Sequence, residues 1–223
     1  MTRVVPFEDL PTADLIVDAV YESSADGRIG GESIANLLPG TGNMGGFRVS
    51  GRAENRNWVV LFTTGKDPDW PDVLDARSGK FIYFGDNKTP GRELHDTNKG
   101  GNNILRFTFD QLHLPHKSRE DIAPFFVFEK SPTATGKRSV KFKGLAAPGY
   151  PGLAETEDLI AIWKTKDEQR FQNYRAVFTI LDVSVVPRRW LEDLRSNEIS
   201  MANTPDAWAR WVRDGDYLPL TAK

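Results

Sequence analysis

Short apolar runs separated by turn residues dominate the middle of the chain. Runs that are rich in β-branched and aromatic residues and bounded by Gly, Pro, Asn and Asp are typical of strands. The pattern predicts strands over residues 47–49, 58–64, 80–84, 125–128, 139–142, 159–163 and 175–181.

Amphipathic patterns at the two ends predict helices. Thr12 is expected to cap a helix over residues 13–21, and a short helix is expected around 34–38. Two further helices are expected to begin near Pro187 and Pro205. Strands flanked by helices indicate a single α+β domain over 1–223 with a curved or barrel-like sheet. We divide it into a helical N-terminal part (1–44), a β core (45–186) and C-terminal helices (187–223).

The segment 85–103 interrupts the pattern of strands. It is rich in Gly and Asn and contains a Pro, so we expect a long ordered loop. Loops of this length inside a compact domain are usually functional or disordered.

Composition narrows the classes of function. The 223 residues include no cysteine, which excludes disulfides, a thiolate nucleophile and Cys-ligated zinc. Without a secretory segment or an apolar run of about 18–20 residues, we expect a cytoplasmic protein with no membrane span. The net charge of −2 argues against a non-specific nucleic-acid coat, which needs a basic surface.

One local stretch is basic nonetheless. Residues 130–143 contain no acidic residue and include Lys130, Lys137, Arg138, Lys141 and Lys143. Such a stretch is either a solvated hairpin or a face that meets phosphates. Charge alone leaves both interpretations open.

Signatures of nucleases and serine hydrolases are missing from the sequence. No Glu is followed two places on by Lys, no Cys pair exists for a zinc knuckle, and no Gly-x-Ser-x-Gly is present. We therefore expect no catalytic residue, no metal site and no cofactor. The alternative that stays open is a small metal-dependent hydrolase with a site assembled from His95, Asp96 and Asp86.

The stretch from Trp58 to Asn103 carries the most specific chemistry. An acidic turn lies between two aromatic strands, and the Gly/Asn-rich segment follows. Aromatic faces can stack on a base, and a carboxylate can accept from the exocyclic amine of cytosine. A polar loop can fill the gap left by a base that is extruded from a duplex. The structural alternative is that the aromatic residues are core and that Asp72 is a turn residue or helix cap.

Several short motifs resemble a known family. They are Gly45-Gly46-Phe47-Arg48, Trp70-Pro71-Asp72, Tyr83-Phe84-Gly85-Asp86-Asn87, Leu94-His95-Asp96-Thr97 and the run from Arg170 to Thr179. In these the chain resembles SRA domains, which read 5-methylcytosine. More closely, it resembles the N-terminal SRA-like domain of AspBHI-type modification-dependent restriction endonucleases, over most of its length.

The resemblance implies a fold and a set of roles. The fold would be an SRA-like (PUA-type) curved sheet or barrel with flanking helices. Asp72 would read the Watson–Crick edge of a flipped base and Tyr83 would stack on it, with Trp58 or, as the second choice, Trp70 as the other wall. Phe84 and Gly85 complete the motif, and Phe84 stands where many SRA domains have a threonine. The loop that enters DNA would include Lys88, Arg92, Lys99 and Asn102. Independently of the resemblance, the basic stretch makes Lys137, Arg138, Lys141 and Lys143 the candidates for contact with the DNA backbone.

The same resemblance implies the partners. They would be double-stranded DNA carrying 5-methyl- or 5-hydroxymethylcytosine and a nuclease domain in cis, and a homo-oligomer stays open. An RNA-binding PUA-like domain is the remaining alternative function.

Overall fold

A large mixed β-sheet organises the molecule. The computed structural model describes residues 2–52 and 55–222. Within them the main strands are β4 (Phe47–Arg52), β5 (Asn55–Thr63), β6 (Val73–Asp75), β7 (Lys80–Phe84), β8 (Phe125–Lys130), β9 (Val140–Pro148), β10 (Leu159–Lys166) and β11 (Gln169–Ile180). The short strands are β1 (Val4–Val5), β2 (Leu15–Ile16), β3 (Val20–Tyr21) and β12 (Val185–Val186).

The helices lie around this sheet. They are α1 (Ser33–Leu37), α2 (Gly101–His113), α3 (Glu155–Asp158), α4 (Arg188–Ser196) and α5 (Asp206–Asp214), with 3-10 turns at Phe7–Asp9, Ile29–Gly31 and Arg119–Asp121. The predicted α+β class is confirmed, and the predicted C-terminal helices are present as α4 and α5. Throughout the described part of the chain, every helix is too short or too polar to cross a membrane.

The sheet runs in the order β4-β5-β8-β9-β11-β7-β6, and β10 pairs with the outer part of β11. β5 and β8 are parallel, with Val59 opposite Phe125. Their apolar runs are continuous because both faces are covered by the core. In β7 burial alternates, so Phe81 and Tyr83 face the core while Ile82 and Phe84 face the other side.

The predicted helix over 13–21 is wrong. Its residues form β2 and β3, with a turn between them at Asp18, whose φ is +60°. The Tyr21 hydroxyl closes this turn: it accepts from the Ile16 N–H at 2.6 Å and donates to the Asp14 carbonyl at 2.7 Å. β3 then joins β1 and β9, so the apolar residues are buried by strand pairing rather than by a helical face. The N-terminal part is therefore mainly strand and 3-10 turn, with α1 as its α-helix.

Helix α2 was not predicted, and it begins inside the expected loop. Asp86 initiates it by accepting from the backbone N–H groups of Gly101 at 2.9 Å and Asn102 at 2.8 Å. Gly100, at the helix N-cap, has φ +64°, which glycine adopts at little cost. The long connection therefore ends at residue 100, and its last residues feed directly into a helix that packs on the sheet.

Candidate nucleic-acid interface

A cavity of about 920 Å³ opens at the edge of the sheet where β5 and β7 end. Its wall comes from segments that are far apart in sequence. They are the 43–48 segment, the ends of β5 and β7, the loop after β7, and the turn before β9. Asp72, Tyr83 and Gly85, three of the residues predicted to form the base pocket, meet in this wall.

Asp72 lies on the floor of the cavity. Its Oδ1 accepts a hydrogen bond from the backbone N–H of Phe84 at 2.9 Å, which ties the acidic turn to the end of β7. Burial raises the pKa of Asp72, and the hydrogen bonds from the Phe84 N–H and the Thr63 side chain oppose that effect. The result is a half-buried carboxyl that is held in place and faces the cavity.

Tyr83 is mostly embedded in the core. Its ring packs at 6.3 Å from Phe47 and 5.8 Å from Phe81, measured between ring centroids, and the residue is only 4% exposed. Burial raises the pKa of Tyr83 well above the ordinary value, and the negative charges of Asp72 and Asp86 add to this. The hydroxyl therefore keeps its proton at neutral pH and can act as a hydrogen-bond donor.

Trp58 does not fit its predicted role. It is fully buried, its Nε1 donates to the Thr41 hydroxyl at 2.8 Å, and its ring lies 6.3 Å from that of Phe126. Its side chain is a core residue between sheet and helices. The prediction of Trp58 as the second stacking wall is corrected because Trp58, opposite Ser50 of β4, lies in the stretch 58–61 of β5, where the core covers both faces of the strand.

Trp70 and Phe84 lie on the opposite face of β7 from Tyr83. Their rings are 5.4 Å apart, Phe171 lies 5.9 Å from Trp70, and the Lys164 ammonium lies 5.1 Å from the centroid of the Trp70 ring. The strand alternation separates this cluster from the cavity, so neither residue is a pocket wall.

Phe62 supplies the aromatic surface that sequence reasoning missed. It is half-buried, lines the cavity, and has the Arg48 guanidinium 5.1 Å above its ring centroid. Arg48 is buried and paired with Glu32 at 2.8 Å, and it also donates to the carbonyls of Gly42 and Gly45. The available signal was the position of Phe62 near the end of β5, beyond the stretch 58–61 that is fully buried.

Asn102 is a structural residue and not a DNA contact. It is 0% exposed. Its Oδ1 accepts from the Asp86 N–H at 3.2 Å, and its Nδ2 donates to the Leu94 carbonyl at 2.7 Å and to Asn173 Oδ1 at 3.1 Å. The prediction that Asn102 contacts DNA is corrected because both polar atoms of its amide form hydrogen bonds within the protein.

Three buried asparagines hold the loop after β7. Asn173 Nδ2 donates to the Gly85 carbonyl at 3.0 Å, and its Oδ1 accepts from the Asn87 N–H at 3.2 Å. Asn87 Nδ2 donates to the carbonyls of Arg92, Glu93 and Gln172. A Cβ on Gly85 would lie 1.8 Å from Asn102 Oδ1, so only glycine fits beside this network. The loop is thus fixed from the inside, and its charged side chains are left on the outside.

Basic side chains surround the mouth of the cavity. They are Lys88, Arg92, Lys99, Lys130, Lys137 and Arg138. Lys88 pairs with Asp67 at 2.7 Å, and Arg92 donates to Asn98 at 3.1 Å. The residues predicted for the loop and for the basic stretch are therefore brought together, apart from Asn102, Lys141 and Lys143. The last two lie along β9 outside the cavity, and Lys143 pairs with Asp18.

The residues of the alternative hydrolase site do not form a common centre. Both carboxylate oxygens of Asp86 accept from the N-terminus of α2, and His95 Nε2 lies 3.1 Å from the Tyr174 hydroxyl. Asp96 is exposed. Burial, followed by the Arg106 charge, lowers the pKa of His95. Over residues 2–52 and 55–222, no group of three or more His, Asp or Glu side chains could hold a metal ion.

Comparison with known proteins identifies the family of this chain. The family described as "Restriction endonuclease AspBHI N-terminal" matches residues 15–223. No curated protein matches the chain significantly.

Three solved structures are similar. The DNA recognition domain of the cytosine modification-dependent restriction endonuclease LpnPI is 45% identical, with a TM-score of 0.94 over 100% of this chain and 98% of that one. The DNA modification-dependent restriction endonuclease AspBHI is 45% identical, with a TM-score of 0.90 over 99% of this chain and 100% of that one. The MspJI restriction endonuclease in complex with a 27-mer oligonucleotide is 22% identical, with a TM-score of 0.56 over 76% of this chain and 42% of that one, and shows the fold alone.

These similarities confirm the SRA-like fold that the motifs predicted. They also place the chain outside the catalytic part of such enzymes, as a DNA recognition module. The chain belongs to the AspBHI N-terminal family, the DNA recognition domains of modification-dependent restriction endonucleases.

Proposed function

We propose that this domain recognises 5-modified cytosine in double-stranded DNA by flipping the base into the cavity bounded by Asp72 and Tyr83. It would serve as the specificity module for a nuclease domain in cis, in the cytoplasm. The preferred bases are 5-methyl- and 5-hydroxymethylcytosine. The observation that carries the proposal is the arrangement of charge, with basic side chains around the mouth of the cavity and carboxyls on its floor.

The basic mouth matches the DNA backbone. Three exposed lysines lie on separate segments around the cavity, namely Lys99, Lys130 and Lys137. Together they can therefore contact several phosphates of a duplex. Contacts between such side chains and phosphates position a duplex without reading its sequence. The chain can therefore hold DNA over the cavity despite its net charge of −2.

The acidic floor matches the amine of cytosine. Asp72 presents a carboxyl that is not neutralised by an ion pair within the described residues, although Lys88 is near enough to influence it. A carboxylate accepts from the exocyclic N4 amine of cytosine and repels the O4 carbonyl of thymine. A base can reach this depth only outside the stack, so recognition requires flipping.

The related LpnPI domain supports the choice of base. Its description names cytosine modification, and at 45% identity over the whole chain it shares the same fold. Asp72, Tyr83 and Gly85 line the cavity here and fall in the motifs by which the chain resembles the family.

The test is a binding comparison on one duplex sequence. The central base is cytosine, 5-methylcytosine or 5-hydroxymethylcytosine. In a separate duplex of the same sequence, a fluorescent analogue replaces that base and reports unstacking. We expect tighter binding to the modified duplexes and a rise in fluorescence on binding. Equal affinity for all three duplexes, or stronger competition by single-stranded RNA than by modified duplex, would contradict the proposal.

A further inference from the structure

We propose that Met44 enters the duplex and fills the gap that the flipped base leaves in the stack. The inference rests on the proposed function and deepens it by naming the side chain that keeps the duplex open. It assigns this role to the loop over residues 40–46, between α1 and β4, whereas the family resemblance implies the loop that carries Arg92.

The first step is the position of Met44 at the mouth of the cavity. It is 58% exposed, and within the described residues it is, with Ile29, one of two large apolar side chains that are exposed there. A Cβ built on Gly45 would lie 3.9 Å from Cε of Lys99, so the tip of the loop lies beside a basic side chain of the mouth. Single exposed apolar side chains are common on protein surfaces, and the location is therefore what is informative. When the phosphates of a duplex contact the surrounding cations, Met44 faces the duplex.

The second step is the support of the loop from inside the protein. The buried Arg48 donates to the carbonyl of Gly45 at 2.8 Å and to the carbonyl of Gly42 at 3.2 Å. The carbonyl of Gly46 accepts from the Phe62 N–H at 2.7 Å. The backbone is thus held on both sides of the exposed side chain. A side chain that separates stacked base pairs needs a support of this kind, because the stack resists being opened.

The third step is the chemistry of the gap. A flipped base leaves a space between the apolar faces of the neighbouring base pairs. Proteins that open or kink DNA insert apolar side chains between base steps, and methionine is one of those used. The side chain of Met44 is unbranched and has three rotatable bonds, so it adapts to an irregular space. Its exposed apolar surface then leaves water on binding.

The fourth step is the state of the other candidates, which lie in the loop after β7. Lys88 pairs with a carboxylate at 2.7 Å, and Arg92 donates to a neighbouring amide at 3.1 Å. Asn102 is buried, with its amide bonded inside the protein. Lys99 is exposed, and its ammonium is suited to a phosphate rather than to the space between two bases. Met44 is therefore the side chain at the mouth that best fits the gap.

The test uses one duplex sequence with three alternatives at the central position, namely 5-methylcytosine, an abasic site and thymine. The abasic duplex has the gap without the base, and the thymine duplex measures background binding. We expect the wild type to prefer the abasic duplex to the thymine duplex, and Met44→Ala to lose that preference. The same variant should bind the 5-methylcytosine duplex about tenfold more weakly and the thymine duplex unchanged.

Two further variants complete the design. Met44→Leu keeps an apolar side chain of similar volume and should retain the wild-type affinities within about threefold. The matched control is Met201→Ala, because Met201 is 71% exposed and lies outside the cavity. It should behave as the wild type on all three duplexes. Thermal melting of each variant establishes that it is folded.

The outcomes separate this inference from the proposed function. Wild-type affinity of Met44→Ala for the 5-methylcytosine duplex overturns the role of Met44, while base flipping stands. A loss that is confined to that duplex would place Met44 at the base itself, and equal losses on all three would make it a general DNA contact, and either result overturns gap filling. A wild type that does not prefer the abasic to the thymine duplex overturns it without any variant. A wild type that does not prefer modified cytosine contradicts the proposed function itself.

Discussion

The Asp72 carboxylate accepts a hydrogen bond from the backbone N–H of Phe84 at 2.9 Å. This contact joins the acidic turn after β5 to the residue that follows Tyr83 on β7. The side chain of Phe84 points away from the cavity, so its backbone and not its ring contributes to the site. Asp72 and Phe84 are 12 positions apart in the sequence, and this hydrogen bond fixes the Asp72 side chain next to Tyr83 in the wall of the cavity.

Removing the Asp72 carboxylate should abolish discrimination. Asp72→Ala leaves the cytosine amine buried without an acceptor, a loss on the order of 1–3 kcal/mol in binding to the modified duplex. Asp72→Asn keeps an acceptor oxygen and should cost less. The measurement is the affinity ratio of modified to unmodified duplex, together with the fluorescence of the base analogue.

The control for these variants is Asp182→Ala, because Asp182 is an exposed carboxylate away from the cavity. It should behave as the wild type. If both Asp72→Ala and Asp182→Ala keep the wild-type affinity ratio of modified to unmodified duplex, Asp72 is not the carboxylate that recognises the base.

The raised pKa of Asp72 predicts a pH-dependent stability. A carboxyl whose folded-state pKa exceeds its unfolded value disfavours folding when it is ionised. The penalty is present above the folded pKa and is lost as the pH falls through it toward the ordinary value of 3.8. Asp72→Asn should therefore exceed the wild type in free energy of unfolding at pH 7, and the difference should shrink on acidification.

Denaturant unfolding between pH 4 and pH 8 measures this difference, with Asp182→Asn as the exposed control. A gap between Asp72→Asn and the wild type that is constant across this range is inconsistent with a buried ionised carboxyl.

The strands of this fold were predictable because their signal is local. β7 lies at the predicted residues 80–84, and β8 and β11 overlap the predicted runs. The prediction of a helix over 13–21 was wrong because the spacing of the apolar residues is also compatible with two short strands. The hydrogen bonds of the Tyr21 hydroxyl that close the turn between these strands are tertiary contacts, which the local sequence pattern does not reveal. Helix α2 had a signal in the spacing of Ile104, Leu105, Thr108 and Phe109, which the Gly/Asn-rich start concealed.

The site was only partly predictable for a similar reason. The motif locates Asp72 and Tyr83, and both reach the cavity. Which aromatic residue accompanies them depends on its position along β5 and on the face of β7 against which it packs. Trp58 and Phe62 share a face of β5, but Trp58 lies where the core covers the strand, and Phe62 lies near the end that borders the cavity. Trp70 packs on Phe84, on the other face of β7 from Tyr83.

The basic mouth should control the salt dependence of binding. Changing Lys99 and Lys137 to Ala together should lower the slope of log K against log salt by about two units, and weaken modified and unmodified duplexes alike. The matched control is the double change of Lys141 and Lys143 to Ala on β9, outside the cavity. A larger change of slope in the control pair would move the DNA path onto that strand.

The purified domain should bind DNA without cutting it, whatever divalent metal is added. Asp86 caps α2 and His95 contacts Tyr174, so both of these candidate hydrolase residues have structural partners. Incubation of plasmid DNA with Mg²⁺, Mn²⁺ or Zn²⁺ checks this. Nicking that disappears in His95→Ala would refute the assignment as a recognition module.

The network of the buried residues Asn87, Asn102 and Asn173 should contribute more to the free energy of unfolding than the exposed Asn103 beside it. Asn102→Ala removes three hydrogen bonds and leaves the Leu94 carbonyl and the Asp86 N–H without that partner. Because buried groups that lose their partners pay a desolvation cost, we expect a loss of about 3 kcal/mol in the free energy of unfolding. Denaturant titration of the purified variant gives the value.

Asn103→Ala is the matched control, since Asn103 is the next residue, is exposed, and makes one hydrogen bond, to the His95 carbonyl at 3.0 Å. It should cost under about 1 kcal/mol. Because the same network holds the loop that carries Arg92 and Lys99, Asn102→Ala should also weaken DNA binding under conditions where the variant is folded. Equal losses of stability in the two variants would mean that the network does not hold the loop, and that Asn102 had been assigned the wrong role.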